Sequence, residues 1–215
     1  MKKLVSVSLV FLFLFSCLNN AYAAPQEAKV RILHASPDAQ AVDVYIDNKA
    51  VVSGAKFKDA TKYLPIASGA HKLEIFPAGT KDKAIISREL SLDGGKFYTL
   101  AAVNKLNSLE LIAVEDTTKA PKGKTLVRLG HLSPDAPKVD VRIKKENKLF
   151  TGVAFKDITV YQQLKPGKYA LEITTTDGKK ILDLPRKKFD KNTVYSIFVV
   201  NNANKPEVLL LVDSK

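Results

Sequence analysis

VRILHASPDAQAVDV (residues 30–44) returns 97 residues later as VRLGHLSPDAPKVDV (residues 127–141), with ten of the fifteen positions identical. The agreement runs on: GAKFKDATKYLPIASGAHKLEI from Gly54 to Ile75 is echoed by GVAFKDITVYQQLKPGKYALEI from Gly152 to Ile173. A period of about a hundred residues is too long for a solenoid and suits one compact domain per copy. The chain therefore reads as two tandem copies of one small domain, residues 24–115 and 126–215. The stretch between them, DTTKAPKGKT (residues 116–125), lacks apolar periodicity and is rich in Thr, Lys, Pro and Gly, which marks a linker.

Within each copy, short runs of β-branched and aromatic residues alternate with turn signals, and no helical period stands out. Strands are expected near 29–35, 42–46, 50–57, 70–76, 84–92, 96–103 and 108–114. The second copy gives 126–132, 139–144, 148–155, 168–175, 180–184, 193–200 and 207–212. About seven strands in some ninety residues predict an all-β fold of two immunoglobulin-like antiparallel β-sandwiches in series. A small barrel is the alternative. Alternation puts Val30, Ile32 and His34 on a core face, with Arg31 opposite, and repeats this at Val127, Leu129, His131 and Arg128. Asp43 and Asp140 are expected to face outward and to pair across strands with Arg31 and Arg128.

Residues 1–23 read as a signal peptide. Lys2 and Lys3 precede an apolar run, and Ala21-Tyr22-Ala23 offers small residues where a signal peptidase cuts. The run is short for a membrane span. Lipidation of Cys17 is the competing reading, but Phe15 is bulky for a lipoprotein box and the Ala-Tyr-Ala site is cleaner. The expected address is secreted, extracellular or cell-envelope associated. Cys17 is the sole cysteine, so a chain cut after Ala23 has neither disulfides nor thiolate chemistry. No sorting motif follows the last strand, so any wall attachment is expected to be non-covalent.

The recurring turn Ser36-Pro37-Asp38-Ala39, with Ser133-Pro134-Asp135-Ala136, offers a proline that presets φ and side chains that bond nearby amides. The plainest reading is a rigid turn whose histidine sits inside and bonds loop carbonyls. A Ser-His-Asp relay needs groups brought from separate segments and an oxyanion hole, which one five-residue turn does not supply. One histidine with one or two carboxylates is a thin ligand set for zinc, and the loop is poor in acids for calcium. Neither catalytic residues, a metal site nor a cofactor is therefore assigned. His34, Ser36, Asp38, His131, Ser133 and Asp135 stand as ligand-binding candidates, because sandwich ends commonly recognise partners.

The string H-A-S-P-D-A-x-x-V-D-V-Y, followed by Gly54, Phe57, Tyr63, Leu64 and S-G-A-H-K-L-E-I, resembles a bacterial exported family known only as domain of unknown function 4397. The resemblance covers the mature chain once per copy. It implies secreted or envelope-attached β-sandwich domains, often in tandem, with no established activity. The second copy departs from the pattern at Gly130 for Leu33, Leu132 for Ala35 and Arg142 for Tyr45. Tyr45 is thus a binding candidate of the first copy alone.

Charge separates the copies further. Residues 24–118 hold 12 basic and 12 acidic side chains, against 20 and 10 in residues 119–215. The excess gathers at Lys144, Lys145 and Lys148, at Lys179 and Lys180, and at Arg186, Lys187, Lys188 and Lys191. A solvated surface is the plain reading. The functional one is an anionic polymer of the cell envelope, for which lysines serve as point charges. Nucleic acid is disfavoured by the address and by the absence of interleaved aromatics. The expectation is a non-catalytic envelope binding module. A structural role in packing against other envelope proteins is the alternative, and a hydrolase is the remote one.

Overall fold

The computed structural model describes residues 26–144 and 147–214; the segment read above as a signal peptide, with Cys17, and Lys145 lie outside them. The first copy forms β1 (Ala28–His34), β2 (Val42–Ile46), β3 (Lys49–Ala55), β4 (Leu64–Ile66), β5 (Gly69–Pro77), β6 (Ile86–Leu92), β7 (Phe97–Val103) and β8 (Glu110–Asp116). The second repeats the series as β9 (Thr125–His131), β10 (Val139–Ile143), β11 (Lys148–Val153), β12 (Gln162–Leu164), β13 (Gly167–Thr175), β14 (Lys180–Phe189), β15 (Thr193–Val200) and β16 (Glu207–Ser214).

Each copy is a sandwich of two four-stranded sheets. The orders are β4-β1-β7-β8 over β3-β2-β5-β6, and β12-β9-β15-β16 over β11-β10-β13-β14. The all-β tandem sandwich read from the sequence is what forms, with two additions. Each copy has an eighth strand, β4 or β12, three residues long. In addition, β1 pairs with β7 and β9 with β15 in parallel, while all other pairs are antiparallel. The cores follow from alternation. Val30, Ile32, Val44, Leu73, Ile75 and Leu100 fill the first sandwich, and Val127, Leu129, Val141, Ile173, Phe189 and Ile197 fill the second.

A third apolar cluster joins the copies. Leu33, Ala35, Ala101 and Val103 pack with Leu132, Phe198 and Val200. These residues lie on β7 and β15, and on or directly after β1 and β9, turned away from their own sandwich core. The layers therefore run outer, inner, inner, outer, and the inner sheets are covered on both sides. Every residue of β9 and β15 is buried, as expected for strands enclosed on two faces.

This layering corrects the reading of Arg31 and Arg128, which face the other copy instead of solvent. Arg31 is 3% exposed and bonds Asp213 at 2.7 Å and Thr99 at 2.8 Å. Arg128 is 1% exposed and bonds Asp116 and Ser196. Each aspartate also accepts from its own copy. Tyr63 and Thr99 donate to Asp116, both at 2.6 Å, while Tyr161 and Ser196 donate to Asp213 at 2.9 and 2.7 Å. The guanidinium groups lie over Tyr63 and Tyr161 at 4.9 and 4.7 Å from the ring centroids. Burial pushes both tyrosine hydroxyls up, out of the range in which they ionise. Outside this network Lys58 meets Glu207 at 2.6 Å and Lys156 meets Glu110 at 3.0 Å. Every one of these contacts is made twice with the copies exchanged, which is the signature of a local two-fold axis.

Asp43 and Asp140 do not pair with those arginines and do not face outward; both are buried. Asp43 accepts from the amides of Gly54 and Gly79 at 2.7 and 2.9 Å. Asp140 accepts from the amide of Gly152 at 2.7 Å and from Lys148. Gly54 and Gly152 sit at φ +66° and +64°, where a side chain is disfavoured. That geometry accounts for the glycine beginning the echoed segment in both copies.

Candidate functional site

The Ser-Pro-Asp turns link β1 to β2 and β9 to β10. His34 and His131 close them from inside: Nε2 donates to the Gln40 carbonyl at 3.2 Å and to the Pro137 carbonyl at 2.9 Å. A carbonyl only accepts, so Nε2 carries the proton and Nδ1 the lone pair. The Ser133 amide donates to Nδ1 of His131 at 3.3 Å, in agreement. Burial pushes both imidazoles below their ordinary range, and both stay neutral. Ser36 and Ser133 are fully buried.

The motif aspartates reach the other way. Asp38 accepts from the Leu106 amide at 2.8 Å and Asp135 from the Ala203 amide at 2.7 Å. Each carboxylate thereby ties its loop to the β7–β8 or β15–β16 turn of its own copy. Lys105 adds a contact to Asp135 across the copies at 3.4 Å. Ser36 Oγ lies against Asp38 at 3.4 Å and not against His34. The histidines and serines are thus enclosed within the fold, while Asp38 and Asp135 remain exposed. Tyr45 lies on the outer sheet, half-buried, edge-on to Phe76 at 5.4 Å with Lys81 over its ring at 4.5 Å.

The basic runs are brought together where the sequence separates them. Lys144 and Lys180 both reach Asp183, at 3.6 and 3.0 Å, across the outer sheet β11-β10-β13-β14. Lys180 first, with Lys144 beside it, holds that carboxyl below the usual range. Lys148 pairs with Asp140 at 2.5 Å, Arg142 with Glu172 at 2.9 Å, and Lys188 with Asp190 at 2.7 Å. Among the described residues Lys179, Arg186, Lys187 and Lys191 make no ion pair. Arg186, Lys187 and Lys188 lie on β14, an edge strand that also holds Pro185. Charges and proline on an edge blunt strand-to-strand aggregation, so these three have a sufficient structural reason.

Lys179 and Lys180 are placed differently. They open onto a cleft of about 300 Å³ whose opposite wall is the second motif turn, at Ala136 and Pro137. The hairpin side is completed by Thr175 and Ile181, and the β15–β16 turn supplies Ala203, Asn204 and Pro206. The second Ser-Pro-Asp loop and one basic run thus share one site at the lower end of ligand-sized volumes. Sequence reasoning missed Ile181, Asn204 and Pro206, and also Lys138 and Lys205, which flank Pro137 and Pro206. Their only signal was position: the first-copy counterparts of Lys138 and Lys205, 97 residues earlier, are Ala41 and Ser108.

The profile of a family described as Domain of unknown function (DUF4397) matches residues 28–142 and 144–215. The chain belongs to the DUF4397 family. No curated protein matches this DUF4397 chain in sequence. Among solved structures it is similar to the CBM26-family module CBMbc from Eubacterium rectale Amy13K, crystallised with maltoheptaose. That match has 10% identity and a TM-score of 0.26, covering 86% of this chain and 96% of that one. A candidate cell adhesion protein from Bacteroides uniformis matches at 10% identity and a TM-score of 0.28, covering 87% and 98%. The Bacillus anthracis TIE protein matches at 12% identity and a TM-score of 0.26, covering 82% of this chain and 34% of its own length. At TM-scores this low the likenesses define neither topology nor ligand for the DUF4397 pair.

Proposed function

We propose that the protein is an exported, non-catalytic binding module that engages an anionic polymer of the cell envelope through its second copy. The observation carrying this reading is the convergence of Lys144 and Lys180 on Asp183, which gathers separate basic runs onto one outer sheet. The first copy, with balanced charge, has the Tyr45–Phe76 contact between β2 and β5 of its outer sheet. Burial of His34, Ser36, His131 and Ser133 supports a role without catalysis, because a nucleophile must meet its substrate. Lysines unpaired on an exposed face cost little to bring to a polyanion and lose their attraction as salt screens them.

The test is retention of residues 24–215 on purified cell walls across a salt series. Retention at low salt that collapses by moderate salt, and weakens when Lys179, Lys187 and Lys191 are changed together to Glu, supports the reading. Absence of retention at low salt removes it. A role in assembly is the second reading, favoured by Val160, which stands 76% exposed on the loop before β12. Salt-indifferent oligomers in sedimentation would support that role instead.

A further inference from the structure

We infer that the cleft between the second Ser-Pro-Asp loop and the β13–β14 hairpin binds the sugar unit of an acidic polysaccharide. The ring lies on Pro137, Ile181 and Pro206, and the acidic group meets Lys179. The inference rests on the polyanion reading above and names the point and the chemistry of contact.

Three observations carry it. First, the cleft is not merely charged: two prolines and an isoleucine give it rigid aliphatic walls. A bare phosphate chain has no apolar face to lay against them, whereas a pyranose ring presents C–H groups on its faces and hydroxyls at its edge. Lys179 supplies the cation at the lip, with Lys180 partly held by Asp183. Second, hydrogen-bonding capacity beside the cleft is unspent. The Asn204 side chain makes no hydrogen bond among the described residues. The β15–β16 turn that supplies Asn204 also carries Asn202 Oδ1, buried without a protein partner. Buried polar atoms are ordinarily paired, and hydroxyl-rich ligands offer both donors and acceptors.

Third, the chain contains its own control. The two loops have equal lengths in both copies, so positions correspond residue for residue. Pro137, Lys138, Lys205 and Pro206 stand where the first copy has Gln40, Ala41, Ser108 and Leu109. Both flanking cations and both prolines are therefore confined to the second copy, while the turn-fixing aspartate is common to both. Of the cleft's loop residues, Ala136 and Asn204 are shared with the first copy as Ala39 and Asn107, so what is particular to the second copy is the two prolines and the two flanking cations.

The experiment is calorimetric titration of residues 24–215 with oligogalacturonate, with sodium polyphosphate of matched charge, and with anionic phospholipid vesicles. Oligogalacturonate is expected to bind about tenfold tighter than polyphosphate, and Lys179→Ala to weaken it by about tenfold. Lys187→Ala on the edge strand should change it less than twofold. Addition of the sugar should also shift the Asn204 side-chain amide resonance, a readout that needs no substitution. Equal binding of sugar and polyphosphate, with Lys179→Ala no worse than Lys187→Ala, overturns the cleft and leaves the polyanion reading standing. Binding to vesicles alone also overturns it. Failure of all three probes at low salt overturns both readings.

Discussion

Arg31 on β1 and Asp213 on β16 lie 2.7 Å apart across the two copies, with side chains 3% and 0% exposed. The bond is repeated in mirror roles by Arg128 and Asp116. Two charges removed from water cost several kcal/mol each unless paired and bonded, and here both carboxylates are supported by a hydroxyl and a phenol. Removing one partner therefore leaves an uncompensated buried charge. Arg31→Ala or Asp213→Ala is expected to destabilise the chain by about 3–5 kcal/mol. Replacing the pair together with apolar residues should cost less than the sum of the singles. Denaturant midpoints over the double-mutant cycle give the coupling directly.

The apolar part of the same interface is matched by unlike residues. In the first copy Leu33 lies opposite Ala101 on paired strands, and in the second Gly130 lies opposite Phe198. A Cβ on Gly130 would meet the Phe198 ring at 2.5 Å. Gly130→Ala should destabilise by about 1–3 kcal/mol through overpacking. Gly130→Leu combined with Phe198→Ala, which restores the first copy's arrangement of large and small, should be more stable than Gly130→Leu alone. Thermal melts of the single and double variants would decide it, and a Gly130→Ala chain as stable as the parent would refute the packing account.

Shared burial of this extent predicts that neither copy unfolds alone. Heating should give one transition, with calorimetric and van't Hoff enthalpies in agreement. Two resolved transitions would show that the interface contributes less than the cores.

Acid sensitivity follows from His34 and His131. Burial lowers both folded-state values, while the unfolded chain titrates near 6.5. Below that point the unfolded state binds more protons, so stability is full above it and falls as pH drops through the window down to the lowered folded values. Urea midpoints measured from about pH 7.5 to about pH 5 should therefore decline. The His34→Gln, His131→Gln variant, which keeps a donor for the loop carbonyls, should flatten the decline by up to two protons.

Much of this architecture was legible in the residues. The duplicated motif fixed the two copies, and period-two alternation located the strands of the cores because each buries one face against its own partner sheet. The strands β4 and β12 escaped notice because three residues, Leu64-Pro65-Ile66 and Gln162-Gln163-Leu164, are too few to show alternation. Arg31 was read outward because a charge between apolar residues normally means solvent; its partner is 182 residues away. Yet a signal existed. Arg31, Thr99 and Asp116 recur 97 residues later as Arg128, Ser196 and Asp213, a polar trio retained while neighbouring positions changed. The cleft was illegible for another reason: Pro137, Lys179 and Pro206 meet only through tertiary folding, and nothing local announces it.

The reciprocal bonds at the centre have the form that two identical chains make when they dimerise. Joined in one polypeptide, the halves are present in fixed ratio and always beside each other, so mutations no longer strike both at once. Gly130 and Phe198 record that freedom at the seam, and the lysines record it on the outside. A symmetric pair would carry any added charge twice, on opposite ends; the covalent pair confines it to one end and leaves the other neutral. The duplication thereby turns a two-fold object into a polar one, with a basic pole and a charge-balanced pole held at a fixed separation by the two inner sheets.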